Sequence, residues 1–487
     1  MTRKWFLIGI TGIFLLSLAL RFWGLGRFNT LVFDEVYYAK FGNNYLTHTP
    51  FFDGHPPLGK LLIAFGIWIG DRIPFWKQEV NGLTGSVLSP LSYRWMNAFS
   101  GSFIPLIVAA IAYQLSYRRS FSLLAGLFTT CDGIFLVESR YALINQYIVI
   151  FGLLGHWFFL KALANQRQKR NFWLIFSGIA FGASIATKWN GLWFLLGIYV
   201  IWILTWLWQL WQRRGADGTD KLSLDYSFAT TSVAKKLAQL NFFQMAFFLG
   251  IIPIIVYSLI WIPHLQLDTK YGFIEVHKQI LQFHERLGGN SPKIHPYCAA
   301  WYKWPLMTRP MAYFYQTASS MKDPLPAMGP PLPSGVGRVV YDVHAMGNPI
   351  LWWFGLAAIL FLFGMLVWQI FIPWIKQKLL PPLQNLSVDT WIALYLIVSY
   401  ATNLLPWVGV NRCVFIYHYM TAVVFAFLAI AWLVDRCIHS YHIQLRALGV
   451  TITFLILIAF VFWIPIYLGL PISPVEYRQR MWFNSWI

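Results

Sequence analysis

The stretch LVFDEVYYAKFGNNYLTHTPFFDGHPPLGKLL at 31–62 follows the first long apolar run of the chain and carries two adjacent acids, Asp34 and Glu35. The chain has only 18 Asp and Glu among 487 residues, so a neighbouring pair where an apolar run ends is unusual. A solvated loop at a membrane edge would explain the two acids without any function. The aromatic residues around them and the rigid HPP run at 55–57 instead favour an ordered, functional loop.

The composition indicates an integral membrane protein. The sequence is 58% hydrophobic, 19% aromatic and only 11% charged, whereas a soluble domain carries about a quarter charged residues. The net charge of +19 comes from Lys and Arg in short clusters between apolar runs. That arrangement is typical of cytoplasmic membrane loops and differs from a nucleic-acid-binding stripe. We therefore expect no nucleic-acid partner.

The apolar runs predict an all-α bundle. Because a span needs about 20 mostly apolar residues, the sequence predicts about eleven transmembrane helices. The run at 57–70 is too short to cross and follows two prolines, so we expect an interfacial helix there. The run at 5–23 lacks a cleavage site before Arg21 and is interpreted as a retained anchor. The predicted spans are 5–23, 97–117, 121–137, 146–163, 172–187, 191–211, 242–263, 349–372, 389–406, 413–434 and 447–468.

The Lys and Arg clusters predict the orientation. They fall on one side of this span count, and excess positive charge marks the cytoplasmic side. The amino terminus and the polar loop 212–241 are then cytoplasmic, while the carboxyl terminus and the turn at 139–145 are outside. The predicted units are an N-terminal catalytic module 1–263 with its first external loop 24–96, an external loop region 264–346, and a C-terminal four-span module 347–487.

The four cysteines give no pattern of a disulfide framework. Only Cys298 lies in a polar external stretch. The other three, Cys131, Cys413 and Cys437, lie inside or at the ends of apolar runs. We therefore expect no disulfide.

The run at 31–62 resembles the first external loop of the protein O-mannosyltransferases, F-D-E-V-x-[FY] followed by F-F-D-x-H-P-P-L-[AG]-K. Asn145 departs from the Asp that is usual in this family. The loop 264–346 has no room for the β-trefoil insert of eukaryotic members, so the chain is similar to bacterial members. Further blocks in the same order are RFWGL at 21–25, SRYALIN at 139–145, TKWNG at 187–191, HPY at 295–297, WPLMTRP at 304–310, NLLPW at 403–407 and RCVFIYHY at 412–419.

This resemblance implies a multi-span GT-C glycosyltransferase in the bacterial plasma membrane. It would transfer mannose, with inversion, from a polyprenyl-phosphate-mannose donor to Ser or Thr hydroxyls of exported proteins. The active site would lie on the outer face, at membrane depth, because the donor is itself a membrane lipid. A contact with the secretion machinery would suit exported acceptors. The donor brings its own phosphate, so we expect no metal and no cofactor.

The chemistry assigns roles to the matched residues. A hydroxyl nucleophile needs a positioned base, for which we choose Asp34, with Glu35 orienting the loop or the acceptor. The departing phosphate needs cations, and the candidates are Arg140, Lys188, Arg309 and Arg412. Support of the loop, or contact with the sugar or the acceptor, is expected of Arg21, His55, His295, Tyr297, Trp304 and His418.

Several of these residues also have plainer interpretations. Arg21, at the outer end of the first span, could extend to the lipid headgroups. Lys188 beside Trp189 could be a headgroup anchor, and His418 among apolar residues could be a packing residue. Glu138 and Arg140 could form a local charge pair of little net value.

Other functional classes remain open from the sequence. A related GT-C enzyme could transfer a lipid-linked sugar to a lipid or a glycan. A transporter would show internal repeats and broken helices, and we find no repeat. The histidines His277, His284 and His295 lack the spacing of a metal site. An amphipathic surface helix over 273–287 explains the first two of them.

Overall fold

The computed structural model describes residues 1–78, 81–83, 86–215, 233–289, 293–320, 338–377 and 386–487. Most of the predicted loop 212–241 lies outside these residues. The helices are α1 Arg3–Phe22, α2 Glu35–Leu46, α3 Leu58–Gly70, α4 Pro90–Gly101, α5 Ile104–Ser116, α6 Arg119–Thr130, α7 Gly133–Arg140, α8 Asn145–Leu163, α9 Arg167–Thr187, α10 Leu192–Gly215, α11 Val233–Ala238, α12 Phe242–Ala246, α13 Ile252–Leu267, α14 Phe273–Arg286, α15 Pro349–Leu366, α16 Ile372–Gln377, α17 Val388–Leu404, α18 Met420–Ile438, α19 Ile443–Leu468 and α20 Pro474–Arg480. The strands are β1 Asn81–Leu83, β2 Ser86–Leu88, β3 Met311–Ala318 and β4 Val339–Ala345.

The helices confirm a membrane protein with many spans. Within the described ranges, nine helical segments are long and apolar enough to cross a membrane, or ten if a bent pair counts as one span. The remaining predicted span, 172–187, forms α9, which is not among the nine. Basic residues in the first turn of α9 shorten its apolar stretch. Helix α3 has 13 residues, too few to cross, as predicted.

The predicted single span 121–137 is wrong in one respect, because it is two helices, α6 and α7, bent by 60°. The cause is Asp132, whose carboxylate caps α7. The same carboxylate accepts hydrogen bonds from the backbone N–H of Asn348 at 3.0 Å and from the indole of Trp352 at 2.8 Å. A buried carboxylate needs such donors, so the bend is fixed by contacts with α15.

Helix α18 lies at the centre of the C-terminal half. Nearly all of its side chains are buried, and it packs against α6, α15, α17 and α19. A helix that is apolar all round belongs in the interior of a bundle. In the N-terminal half, α8 is similarly enclosed and packs along α9. The loops that join these helices at one end bring the sequence motifs together.

The region 264–346 contains more structure than the sequence predicts. Helix α14 confirms the predicted amphipathic helix. The strands β3 and β4, which we did not predict, form an antiparallel hairpin from the pair Met311↔Ala345 to the pair Ala318↔Val339. The hairpin has an irregularity between Ala312 and Phe314. Its inner strand β4 is buried along its whole length, so the hairpin packs on the helices as part of the core.

Candidate active site

The carboxylate of Glu35 is held by hydrogen bonds within the fold. Its carboxylate is fully buried and accepts hydrogen bonds from the guanidinium of Arg94 at 2.8 and 2.7 Å. It also accepts from the backbone N–H of Val32 at 2.8 Å and of Ala142 at 2.9 Å. These four bonds leave no free position for an acceptor. Of the two roles predicted for Glu35, only orientation of the loop agrees with the structure.

Arg94 is a residue that the sequence analysis missed. Besides Glu35, its guanidinium binds the carbonyl oxygens of Leu25, Phe28 and Thr30 at 3.2, 2.8 and 2.7 Å. It therefore fastens the segment between α1 and α2 to α4. The only signal in the sequence is a lone arginine just before the predicted span 97–117, and its partner is 59 residues away.

Arg21 and Arg140 join α1 to α7. Arg21 is fully buried and donates to the hydroxyls of Ser139 at 2.8 Å and Ser17 at 2.7 Å. Its extension to the headgroups is therefore excluded, and its predicted support role stands. Arg140 donates to the carbonyl oxygens of Leu20 at 2.7 Å and Trp23 at 2.8 Å. These are carbonyls at the end of α1, so the guanidinium binds the backbone there. The contacts give no support to its predicted binding of phosphate, which stays a prediction.

Asp34 differs from its neighbour. It is partly exposed and stands at the N-terminus of α2 without capping it, and its carboxylate accepts no hydrogen bond from the described part of the chain. Burial raises the pKa of its carboxyl to about 7, with Lys188 opposing the rise and Asp53 adding to it. A carboxylate with a pKa near neutrality and a free lone pair fits a general base.

The same part of the structure contains a cavity of about 860 Å³. Asp34 does not line it, but Lys188, with which Asp34 interacts electrostatically, does. Three cationic side chains, two histidines and one acid stand on its walls with several apolar side chains. The lining residues are His55, Lys188, Trp189, Asn190, Leu192, Trp193, Leu281, His284, Glu285, Arg286, Leu287, Gly288, Gly289, Trp407, Gly409, Val410, Asn411 and Arg412.

Lys188 is a cation of the cavity wall that interacts electrostatically with Asp34. Its ammonium donates to the side-chain oxygen of Asn145 at 3.3 Å and lies 5.3 Å from the ring centre of Tyr417. Burial lowers its pKa to about 8, and Arg412 lowers it further, while Asp34 opposes the shift. A buried ammonium held by a neutral amide keeps its charge available for an anion. A headgroup anchor would be exposed, so the phosphate role is the better supported of the two interpretations.

Arg412 is held in place by a disulfide. Cys298 and Cys413 are bonded to each other, which corrects our expectation of no disulfide. The backbone N–H of Cys413 also donates to the carbonyl of Gly288 at 3.0 Å. These links join the region between α13 and α15 to the loop before α18, which carries Arg412 on the cavity wall. Burial lowers the pKa of Arg412 but leaves an arginine charged.

His55, His284 and His418 lie around the same cavity. The rings of His55 and His284 are 5.3 Å apart, and burial lowers the pKa of both imidazoles, so they are neutral near pH 7. His418 lies behind Trp407, at 4.6 Å between ring centres. Among the described residues no group of three His, Cys, Asp or Glu side chains is placed to hold a metal ion.

Four predicted residues lie elsewhere. Trp304 is buried and donates its indole N–H to the carbonyl of Ala299 at 2.8 Å. Arg309 stacks over Tyr297 at 5.2 Å and donates to the backbone oxygen of Ser485 at 2.6 Å. His295 accepts from the backbone N–H of Tyr297 at 3.3 Å. None of the four lines the cavity, so these contacts do not support the predicted phosphate contact of Arg309, which stays a prediction.

Comparisons with known proteins show which family the chain resembles. Residues 11–267 match the family model described as dolichyl-phosphate-mannose-protein mannosyltransferase, and residues 269–486 match the C-terminal four-span region of protein O-mannosyltransferase. The polyprenol-phosphate-mannose–protein mannosyltransferase of Corynebacterium glutamicum is 24% identical over 89% of this chain and 81% of its own length. The enzyme of that name from Mycolicibacterium smegmatis is 24% identical, with coverages of 94% and 88%.

Two solved structures share the fold. One is the Saccharomyces cerevisiae Pmt1-Pmt2 protein O-mannosyltransferase complex bound to the sugar donor, with a TM-score of 0.77, 15% identity, and coverage of 100% of this chain and 93% of that chain. The other is the Archaeoglobus fulgidus oligosaccharyltransferase, with a TM-score of 0.51, 14% identity, and coverages of 97% and 57%. The chain therefore belongs to the dolichyl-phosphate-mannose–protein mannosyltransferase family and has the fold of the GT-C membrane glycosyltransferases.

Proposed function

We propose that this protein transfers mannose from a polyprenyl-phosphate-mannose donor to Ser or Thr hydroxyls of exported proteins. The observation that carries the proposal is the arrangement around the cavity. Asp34, a carboxylate without a hydrogen-bond partner in the described chain, interacts electrostatically with Lys188, and Lys188 shares the cavity with Arg412. An acid of this kind near two cations supports a reaction in which a hydroxyl loses a proton while a phosphate departs.

The reaction needs one displacement. Asp34 takes the proton of the acceptor hydroxyl as the hydroxyl oxygen forms its bond to the anomeric carbon. The bond from that carbon to the phosphate oxygen breaks at the same time, and the phosphate keeps the electron pair. Lys188 and Arg412 stabilise the charge that the phosphate gains, while the carboxylate stabilises the positive charge on the sugar. A single displacement inverts the anomeric centre.

The walls of the cavity support a lipid-linked donor. Leu192 and Trp193 begin α10, a candidate span. Leu281 lies on α14 and Leu287 directly follows this helix, and both line the cavity. The cavity therefore has a cationic part next to an apolar part that is continuous with a membrane helix. A phosphate bearing a long isoprenoid chain has the same two properties, so the donor need not leave the bilayer.

We place the active site and the carboxyl terminus on the extracytoplasmic side of a bacterial plasma membrane, with the amino terminus in the cytoplasm. The distribution of Lys and Arg supports this orientation. Cysteines introduced at the exposed positions Thr49 and Tyr441 should react with an impermeant thiol reagent from opposite sides. Reaction of both cysteines from one side would overturn this orientation.

A contact with the secretion machinery is also part of this proposal. So is the division of the chain at 263/264 and 346/347.

Incubation of purified protein with mannosyl-phosphoryl-polyprenol and a Ser/Thr-rich peptide tests the function. Mannose attached to the peptide with inverted configuration is the expected result. Transfer to an added lipid or glycan, with none to the peptide, would instead identify a related GT-C transferase. A peptide with Ala at every Ser and Thr is the matched control. Absence of transfer to the Ser/Thr-rich peptide, to the lipid and to the glycan would refute the proposal.

A further inference from the structure

The residue before the proposed base has an unusual backbone. Phe33 has a φ of +53°, a conformation that bulky side chains rarely adopt. Its ring lies parallel to that of Tyr313 on β3, with 4.1 Å between the centres and 13° between the planes. Tyr313 is itself buried. The aromatic stack therefore holds the backbone that directs Asp34.

The hydroxyl of Tyr313 starts a second connection. It donates a hydrogen bond to Glu138, a fully buried carboxylate. Glu138 also accepts from the amide N–H of Asn145, at 3.3 Å to each oxygen. The oxygen of the same amide accepts from Lys188 at 3.3 Å. Asn145 can donate to an acid and accept from an ammonium at once, which a carboxylate at that position could not.

We propose that Tyr313 is a positioning residue that sets the separation of the Asp34 carboxylate and the Lys188 ammonium. Its ring acts on Asp34 through Phe33, and its hydroxyl acts on Lys188 through Glu138 and Asn145. In this way the β3–β4 hairpin aligns the residue proposed to act on the acceptor hydroxyl with the residue proposed to bind the donor phosphate. The kinetic consequences of this inference rest on the proposed function. Its geometry rests on the contacts alone.

Two substitutions separate the two connections. Tyr313→Phe keeps the stack and removes the hydroxyl, so the donor KM should rise about tenfold, the equivalent of one charge-assisted hydrogen bond. Its kcat should stay within about threefold of wild type. Tyr313→Leu removes the stack as well, so kcat should also fall about 100-fold, as expected when a reacting group is misplaced.

Tyr315 provides the matched control. It lies two residues along the same strand, is 49% exposed, and its ring rests on Tyr477 at 5.6 Å. Tyr315→Phe and Tyr315→Leu should leave both constants unchanged. If Tyr313→Leu lowers kcat no more than Tyr315→Leu does, or if Tyr313→Phe leaves the donor KM unchanged, the inference is wrong. Melting temperatures of all four variants identify any loss that comes from unfolding.

A labelling measurement tests the geometry without the reaction. In an Asp34→Cys variant, the rate of alkylation by a charged thiol reagent reports the surroundings of position 34, after subtraction of the rate without that cysteine. Adding Tyr313→Leu should change the rate, and adding Tyr315→Leu should not. If Tyr313→Leu changes the alkylation rate but the wild type transfers no mannose, the positioning role is retained and the proposed function is rejected. An unchanged rate with Tyr313→Leu would reject the positioning role, whatever the transfer assay gives.

Discussion

The guanidinium of Arg94 binds both carboxylate oxygens of Glu35, at 2.8 and 2.7 Å, and both side chains are fully buried. This pair separates the roles of two acids that are adjacent in the sequence. Glu35 is committed to the fold, and Asp34 beside it keeps a free carboxylate. A buried ion pair whose remaining positions are also hydrogen-bonded tolerates the loss of neither partner.

The first prediction concerns this pair. Glu35→Gln should remove the charge that Arg94 needs, which costs about 3–5 kcal/mol when one partner of a buried pair is lost. The melting temperature of the detergent-purified protein and its activity should then fall together. A variant that loses activity at an unchanged melting temperature would place Glu35 in the chemistry instead.

The second prediction is that Asp34→Asn greatly slows transfer and leaves the fold intact. The amide keeps the shape of the side chain but cannot take a proton. Loss of a general base costs about 10²–10⁴ in rate, or roughly 3–5 kcal/mol of barrier. Turnover and melting temperature of the same preparation are the measurements. Turnover within about threefold of wild type would correspond to roughly 0.7 kcal/mol and would exclude Asp34 as the base.

The comparison of sequence and structure shows which features were predictable. Three residues that came from short local motifs are related in the structure: Lys188 and Arg412 line one cavity, and Asp34 interacts electrostatically with Lys188. The partners that fix them were not predicted, because a sequence does not show which distant residues meet. The bond Cys298–Cys413 spans 115 residues. The motif residues around Trp304 matched the family equally well but form the scaffold.

A third prediction concerns the phosphate. Lys188→Ala should raise the donor KM with little change in the apparent affinity for the acceptor peptide, because the ammonium contacts the donor alone. Arg412→Ala should act in the same way, since both residues line one cavity. Arg309→Ala is the matched control, because that guanidinium binds backbone oxygens near the carboxyl terminus. A donor KM raised by Arg309→Ala and not by Lys188→Ala would reverse this assignment.

A fourth prediction concerns the disulfide. Cys298→Ser should destabilise the protein by about 2–4 kcal/mol, as expected for a bond that closes a long loop. It should also raise the donor KM, because Arg412 is adjacent to the bonded Cys413. Reduction of the wild type with dithiothreitol should reproduce both effects, whereas reduction of the Cys298→Ser variant should add nothing. Full activity of the reduced protein would show that Arg412 does not depend on this bond.

The last prediction is a bell-shaped pH dependence of kcat/KM. Asp34 accepts a proton only when it is ionised, so activity should rise as the pH passes its pKa of about 7. Lys188 binds phosphate as the ammonium, so activity should fall as the pH passes its pKa of about 8. Lys188→Arg should move the alkaline limb to higher pH and keep the acidic limb, because a guanidinium stays protonated. The residual activity of Asp34→Asn should lose the acidic limb. If that limb persists at the same midpoint in Asp34→Asn, another group is the base. If the alkaline limb is unmoved in Lys188→Arg, the ammonium of Lys188 is not the cation whose protonation the donor requires.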